Sequence, residues 1–67
     1  MNAWIEDWFS AQASNTGFLM RRNLTEVHAH TTREELTADV RRRRWHLLQV
    51  GEQYIVICNA DPMVVYC

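Results

Sequence analysis

Apolar side chains recur at helical spacing near the start of the chain, and this pattern predicts an amphipathic helix over residues 2–13. Trp4 and Trp8 are four residues apart, as are Ile5 and Phe9, and side chains at this spacing share one face of a helix. The segment begins with an asparagine, a residue type that caps helix N-termini. We expect these aromatic side chains to lie in the core; the alternative is an exposed aromatic face that recognises a partner.

A short alternating segment predicts the first β-strand. The polar run at 14–17 ends the predicted helix. Residues 18–22 then alternate, with Met20 on one side and Leu19 on the other. Residues 24–29 alternate less clearly, and we expect them either to extend this strand beyond a kink or to form a loop.

The polar and charged residues of the middle segment predict a helix over 31–44. Two overlapping capping boxes open it, Thr31 with Glu34 and Thr32 with Glu35, in which a hydroxyl and a carboxylate each satisfy a free backbone donor. Acidic residues begin the segment and arginines end it, which matches the helix dipole.

The same helix has a narrow apolar stripe. Leu36 and Val40 form it, and Leu47 would join them if the helix continued that far. Asp39 lies four residues before Arg43, and we expect the two side chains to form an ion pair along the helix.

Two strand-like segments, 46–50 and 53–58, flank Gly51 and Glu52. Glycine at the first turn position predicts a β-hairpin with a two-residue type II′ turn. Residues 54–58 are apolar at successive positions, so we expect a central strand that is covered on both faces.

The C-terminal residues complete the predicted fold. Residues 59–62 have turn chemistry, and 63–66 predict a last short strand or an apolar tail. We therefore predict a single α+β domain over residues 1–67, with an antiparallel sheet of three to four strands and two helices packed on one face. Because both ends of the chain are apolar, we expect that a sheet edge could pair with a second copy to form a homodimer.

Composition narrows the class of protein. Among the 67 residues are seven arginines, no lysine and eight acids, so the net charge is −1 and a protein that acts mainly through charge is disfavoured. No apolar run approaches the roughly 20 residues of a membrane span, and no signal peptide is recognisable. We expect a cytoplasmic protein without membrane partners, in which Cys58 and Cys67 stay reduced and Cys58 lies in the core.

The arginine run at 41–44 is the most conspicuous candidate site. It could contact nucleic-acid phosphates, but successive helical residues point about 100° apart, so the run forms no single basic stripe. A solvated helix end and a contact with an acidic partner are the other interpretations. We predict partner contacts by Arg41, Arg42 and Arg44 with Trp45 or Trp4 as an aromatic anchor, because arginine and tryptophan are over-represented at binding hot spots.

A metal site could be drawn from two histidines. His28 and His30 would share a face in a strand, with Glu26 on that face and His46 elsewhere. A lone His-x-His pair is a weak signal, so we instead expect two solvent-facing histidines on an edge strand. We predict no metal and no cofactor.

The short chain favours a binding role over catalysis. A substrate cleft needs roughly 300 Å³, and we expect 67 residues to leave no room for one. The size and architecture resemble those of small accessory or inhibitory proteins of phages, plasmids and other mobile elements. We therefore predict a non-enzymatic interaction or regulatory protein that binds a protein partner; the alternative is a small nucleic-acid-binding regulator that adds Arg21 and Arg22 to the arginine run.

Overall fold

The computed structural model describes residues 2–11 and 19–67, and it shows the α+β arrangement that the sequence predicts. The predicted helix stop at 14–17 lies outside the described residues. Three helices and three strands follow in the order α1 (Ala3–Ser10), β1 (Leu19–Asn23), α2 (Leu24–His28), α3 (Arg33–Arg42), β2 (His46–Val50) and β3 (Gln53–Ile57). None of the described helices has the length and apolar character needed to cross a membrane.

The three strands form one antiparallel sheet in the order β1-β3-β2, so the apolar strand β3 is central as predicted. Met20 pairs with Val56, which pairs with Leu47. Met20 and Val56 are buried, and Leu47 packs against the core. The core contains residues from all three helices and from one set of alternating sheet positions: Ile5, Trp8, Phe9, Met20, Val27, Leu36, Val40, Tyr54, Val56 and Cys58.

The β2–β3 hairpin forms at the predicted position. Gly51 has a φ of +58°, whereas Glu52 is not among the residues with positive φ. A left-handed first residue followed by an ordinary second residue is the pattern of a type II′ turn. The prediction that both faces of β3 are covered is only half correct, because Tyr54 and Val56 are buried while Ile55 and Ile57 stay half-buried.

Residues 24–28 form a third helix, so the expectation of a strand extension or a loop was wrong, as was the count of two helices. The Asn23 side chain causes the change, because its oxygen accepts a hydrogen bond from the Thr25 amide at 2.8 Å and caps the new helix. The Leu24 amide still donates to the Glu52 carbonyl at 2.9 Å. Val27 is the one fully buried side chain of this helix.

The predicted N-caps form at both longer helices, but only the hydroxyl half of the Thr32–Glu35 capping box forms. The Asn2 side chain accepts from the Ile5 amide at 3.1 Å, and the Thr32 hydroxyl accepts from the Glu35 amide at 3.1 Å. The other predicted capping box, Thr31 with Glu34, does not form. The Thr31 hydroxyl instead donates to the Glu35 carboxylate at 3.1 Å.

The C-terminal residues adopt the second of the two predicted forms, an apolar tail. Residues 58–67 contain no strand. The His46 ring donates a hydrogen bond to the Asp61 carbonyl at 2.6 Å, which holds the start of the tail beside β2. The side chains that follow are largely exposed, from 44% at Met63 to 94% at Tyr66.

Candidate interaction surface at the end of helix α3

Four aromatic rings, three of them on helix α1, form a connected row. The centroid distances are 5.6 Å from Trp4 to Trp8, 5.1 Å from Trp8 to Phe9 and 5.6 Å from Phe9 to Trp45. Trp8 and Phe9 are buried, as expected for core aromatics, whereas Trp4 and Trp45 at the two ends are half-buried. Each end of this aromatic row therefore presents part of a tryptophan to solvent.

One end of the row is held by Arg43. Its guanidinium lies 4.9 Å from the centre of the Phe9 ring and 5.6 Å from that of Trp45, within cation–π range. The same group donates to the Glu6 carboxylate at 2.8 Å. This joins the end of α3 to α1 across 37 residues of sequence. The Arg43 Nε is buried and has no hydrogen-bond partner, so the ion pair with Glu6 is the main compensation for its charge.

The other end of the row is covered by Arg22. Its guanidinium lies 5.8 Å from the Trp4 ring centre and 5.4 Å from that of Trp8. It also pairs with Glu26 at 3.1 Å. The Trp4 ring stacks on the His30 ring with 4.7 Å between centres and 10° between planes.

Helix α3 ends in a Schellman motif with an arginine where glycine is usual. The Arg44 amide donates to the Arg41 carbonyl and the Trp45 amide to the Val40 carbonyl, each at 3.0 Å. The motif requires a left-handed residue, and Arg44 has a φ of 63°. It is the only non-glycine residue with positive φ in the described part of the chain. The helix thus stops before Leu47, which belongs to β2.

The four arginines divide into two kinds. Arg42 bonds to the buried Asp39 and lies 3.5 Å from Glu6, so the predicted Asp39–Arg43 pair was wrong: Arg43 turns to α1 instead. Arg41 and Arg44 are exposed and have no carboxylate within ion-pair distance in the described ranges. Two of the three predicted arginine contacts are therefore available, and the third is engaged within the fold.

A groove of about 200 Å³ lies beside this helix end. It brings together two of the predicted contact residues, Arg41 and Trp45. Trp4 lies at the other end of the aromatic row, so the structure does not place it in this groove. The remaining lining residues were not predicted to lie together, because they come from α3, β2 and the tail: Thr37, Val40, His46, Leu47 and Met63.

The two histidines of the His-x-His pair do not lie on a strand, so that expectation was wrong. His28 ends α2 and hydrogen-bonds the Tyr54 hydroxyl at 2.8 Å, whereas His30 stacks on Trp4. Both are exposed, as expected. Over residues 2–11 and 19–67, no three histidine, cysteine or acidic side chains are grouped to hold a metal ion.

A depression with a volume of about 420 Å³ lies at the N-terminus of α3. Its volume exceeds what we expected of so short a chain, so volume alone is no argument against an enzyme. Three of its lining residues use their polar groups within the fold: His28 bonds Tyr54, and Thr31 and Thr32 bond Glu35. The other two, Arg33 and Glu34, are exposed and lie 3.9 Å from each other. Cys58 lies in the core as predicted, where burial raises the pKa of its thiol and the positive charge of Arg43 partly offsets this.

Comparison of the chain with protein-family models, with curated proteins and with solved structures finds no significant match. The class of the protein therefore follows from the fold and the surface alone. It is a small α+β protein that exposes the edge of a tryptophan and two arginines at one helix end, and neither arginine has an ion-pair partner among residues 2–11 and 19–67.

Replacing Arg44 with glycine should stabilise the domain. A left-handed conformation costs an L-residue about 1–2 kcal/mol. Glycine avoids this cost, but it also raises the conformational entropy of the unfolded chain, which offsets roughly half of the gain in stability. We expect Arg44→Gly to raise the free energy of unfolding by about 0.5–1 kcal/mol in urea titrations. Arg44→Ala removes the same charge but keeps the Cβ, so it should bring no such gain; equal effects of the two substitutions would contradict this account.

Proposed function

We propose that this protein is a non-enzymatic interaction protein that binds an acidic segment of a protein partner through the end of helix α3. The observation that carries the proposal is Arg44, an exposed arginine in a left-handed conformation that favours glycine. Such strained residues concentrate at functional sites. An arginine kept there at a cost in stability is explained if its guanidinium contacts a partner.

The chemistry of the surface supports an acidic partner with an apolar anchor. Arg41 and Arg44 offer two cations that have no ion-pair partner in the part of the chain that the structure describes, and Arg42 keeps half of its side chain exposed. The groove beside Arg41 and Trp45 has room for about one side chain of a partner. An arginine guanidinium can bind a carboxylate through two parallel hydrogen bonds, which gives such a contact geometric specificity.

Preorganisation of the surface also favours binding. Trp45 contacts both the Phe9 ring and the Arg43 guanidinium, and its amide is fixed by the Schellman motif. A side chain that is already ordered loses little conformational entropy when a partner binds. These features suit a regulator or inhibitor that acts by occupying a partner's surface, of the kind found among mobile-element accessory proteins, and a cytoplasmic setting fits it.

The alternative is a small nucleic-acid-binding regulator. It would use Arg21 and Arg22 together with the arginines of α3. The protein partner is favoured because Arg22 covers Trp4 and Trp8, while Arg21 occupies the sheet position opposite Ile55, outside the core. Binding to successive phosphates of a nucleic-acid backbone favours cations that lie on one continuous stripe of the protein surface.

The test is quantitative capture from lysate of the source cells, using the tagged wild-type chain and an Arg41→Ala/Arg44→Gly variant. We expect a partner whose capture falls at least about tenfold in the double variant, as for the loss of hot-spot arginines. Arg33→Ala is the matched control, since Arg33 is an exposed arginine at the other end of α3. Purified partner should then reproduce the difference in a titration.

Two results would overturn the proposal. One is unchanged capture of every partner by the double variant while its circular dichroism shows an intact fold. The other is binding to random duplex or single-stranded DNA that weakens steeply between about 50 and 200 mM salt, which is the behaviour of phosphate contacts. The second result would favour the nucleic-acid alternative.

A further inference from the structure

The sheet has a second face that the core does not use. The register places Leu19, Leu48, Val50, Ile55 and Ile57 on this open face, at positions that alternate with the buried ones. None of the five belongs to the core or packs against it. Leu19 is 48% exposed and Val50 62%. Leu48, Ile55 and Ile57 are half-buried, and the other positions of this face are polar: Arg21, Asn23, His46 and Gln53. An apolar stripe that the core leaves uncovered indicates an interaction surface.

The apolar tail is the second exposed apolar feature of the same chain. Met63, Val64, Val65 and Tyr66 are between 44% and 94% exposed. They take part in no strand pairing. Valine and tyrosine favour extended backbone, so the segment is suited to lie along or across a sheet.

We propose that a second copy of this chain covers the open face, and that the apolar tail of each copy lies across the open face of the other. Such an arrangement is isologous, because the same two surfaces meet twice about a two-fold axis. It covers both exposed apolar features at once. It does not rest on the function proposed above.

The area of the open face favours a second copy over a single foreign segment. Three strands of five residues span about 14 Å by 17 Å, or about 240 Å². One segment lying on this face would bury about 480 Å² counted over both surfaces, which is the size of a crystal-packing contact. Two reciprocal contacts that each covered the whole face would bury at most about 960 Å², which is below the roughly 1,200 Å² of a stable complex and in the range of a weak, reversible one.

The charges of the two surfaces are complementary. Arg21 is the formal charge on the open face, and Asp61 is the one in residues 59–67. Neither side chain has an ion-pair partner in the described ranges. Stacking the two open faces directly would bring two Arg21 side chains together, whereas placing a tail on each face brings opposite charges together.

Sedimentation velocity of the purified chain tests the proposal over about 1–500 µM, which covers the dissociation constants of weak, reversible dimers. A reductant keeps the exposed Cys67 from forming cross-links. We expect a reversible monomer–dimer equilibrium. In a Val64→Ser/Tyr66→Ser variant, the dissociation constant should rise at least about tenfold, because the tail loses its apolar side chains.

Two further variants make the result specific. Val50→Glu puts a charge on the open face at an exposed position, so the monomer should fold and the dimer should be lost. Ala38→Glu puts the same charge on the exposed surface of α3 and should leave the dimer unchanged. A wild-type chain that stays monomeric to about 500 µM would overturn the proposal. So would a dimer that the tail variant does not weaken.

Discussion

Phe9→Ala is expected to unfold a large fraction of the protein at room temperature. Phe9 is 1% exposed and contacts both Trp8 and Trp45, with Arg43 over its ring. Truncating a buried phenylalanine to alanine costs about 3–5 kcal/mol, and a domain of this length has about 3–10 kcal/mol in total. Urea titration followed by circular dichroism and tryptophan fluorescence measures the loss.

The matched control for Phe9→Ala is Tyr66→Ala, which removes an aromatic ring of similar size that is 94% exposed. It should change the free energy of unfolding by less than about 0.5 kcal/mol at low micromolar concentration. If both substitutions cost the same, Phe9 would not lie in the core as described. Phe9→Leu should fall between them, because it keeps most of the buried apolar volume.

Glu6→Gln is expected to cost about 1–3 kcal/mol, the second largest effect. The substitution keeps the shape of the side chain but removes the charge that compensates Arg43. Arg43 is 23% exposed, and its Nε already lacks a partner. The loss should fall below that of a fully buried ion pair, because solvent reaches about a third of the Glu6 side chain.

The comparison for Glu6→Gln is Glu52→Gln in the hairpin turn. Glu52 is exposed and has no ion pair in the described part of the chain, so its substitution should be nearly neutral. Combining Glu6→Gln with Arg43→Met removes the uncompensated charge and should restore part of the stability. Equal losses for Glu6→Gln and Glu52→Gln would show that the pair contributes nothing.

The elements that the sequence predicted correctly have strong local signals. The hairpin follows from Gly51 and the apolar run after it, and α3 follows from the Thr32–Glu35 cap. Both signals act within a few residues, where backbone sterics and capping determine the structure. Helix α2 was missed because its five residues bury only Val27, too few for a helical period to appear.

The candidate site was predictable in composition and not in geometry. The arginine run is visible in the sequence, but which arginines stay unpaired depends on Glu6, more than thirty residues away. The left-handed conformation of Arg44 depends on where α3 ends, and no glycine marked that end. The pairing of His30 with Trp4 is likewise a tertiary contact without a local sequence signal.

The strand order also determines how the chain can fold. The central strand β3 is the last in sequence, and Leu19 finds its partner Ile57 only after 38 residues. The β2–β3 hairpin can form early because its ends are joined by two residues, whereas docking of β1 must close a long loop at an entropic cost. Until β3 is available, β1 has no neighbour in the sheet, so the N-terminal half cannot form a stable sub-structure that includes a sheet.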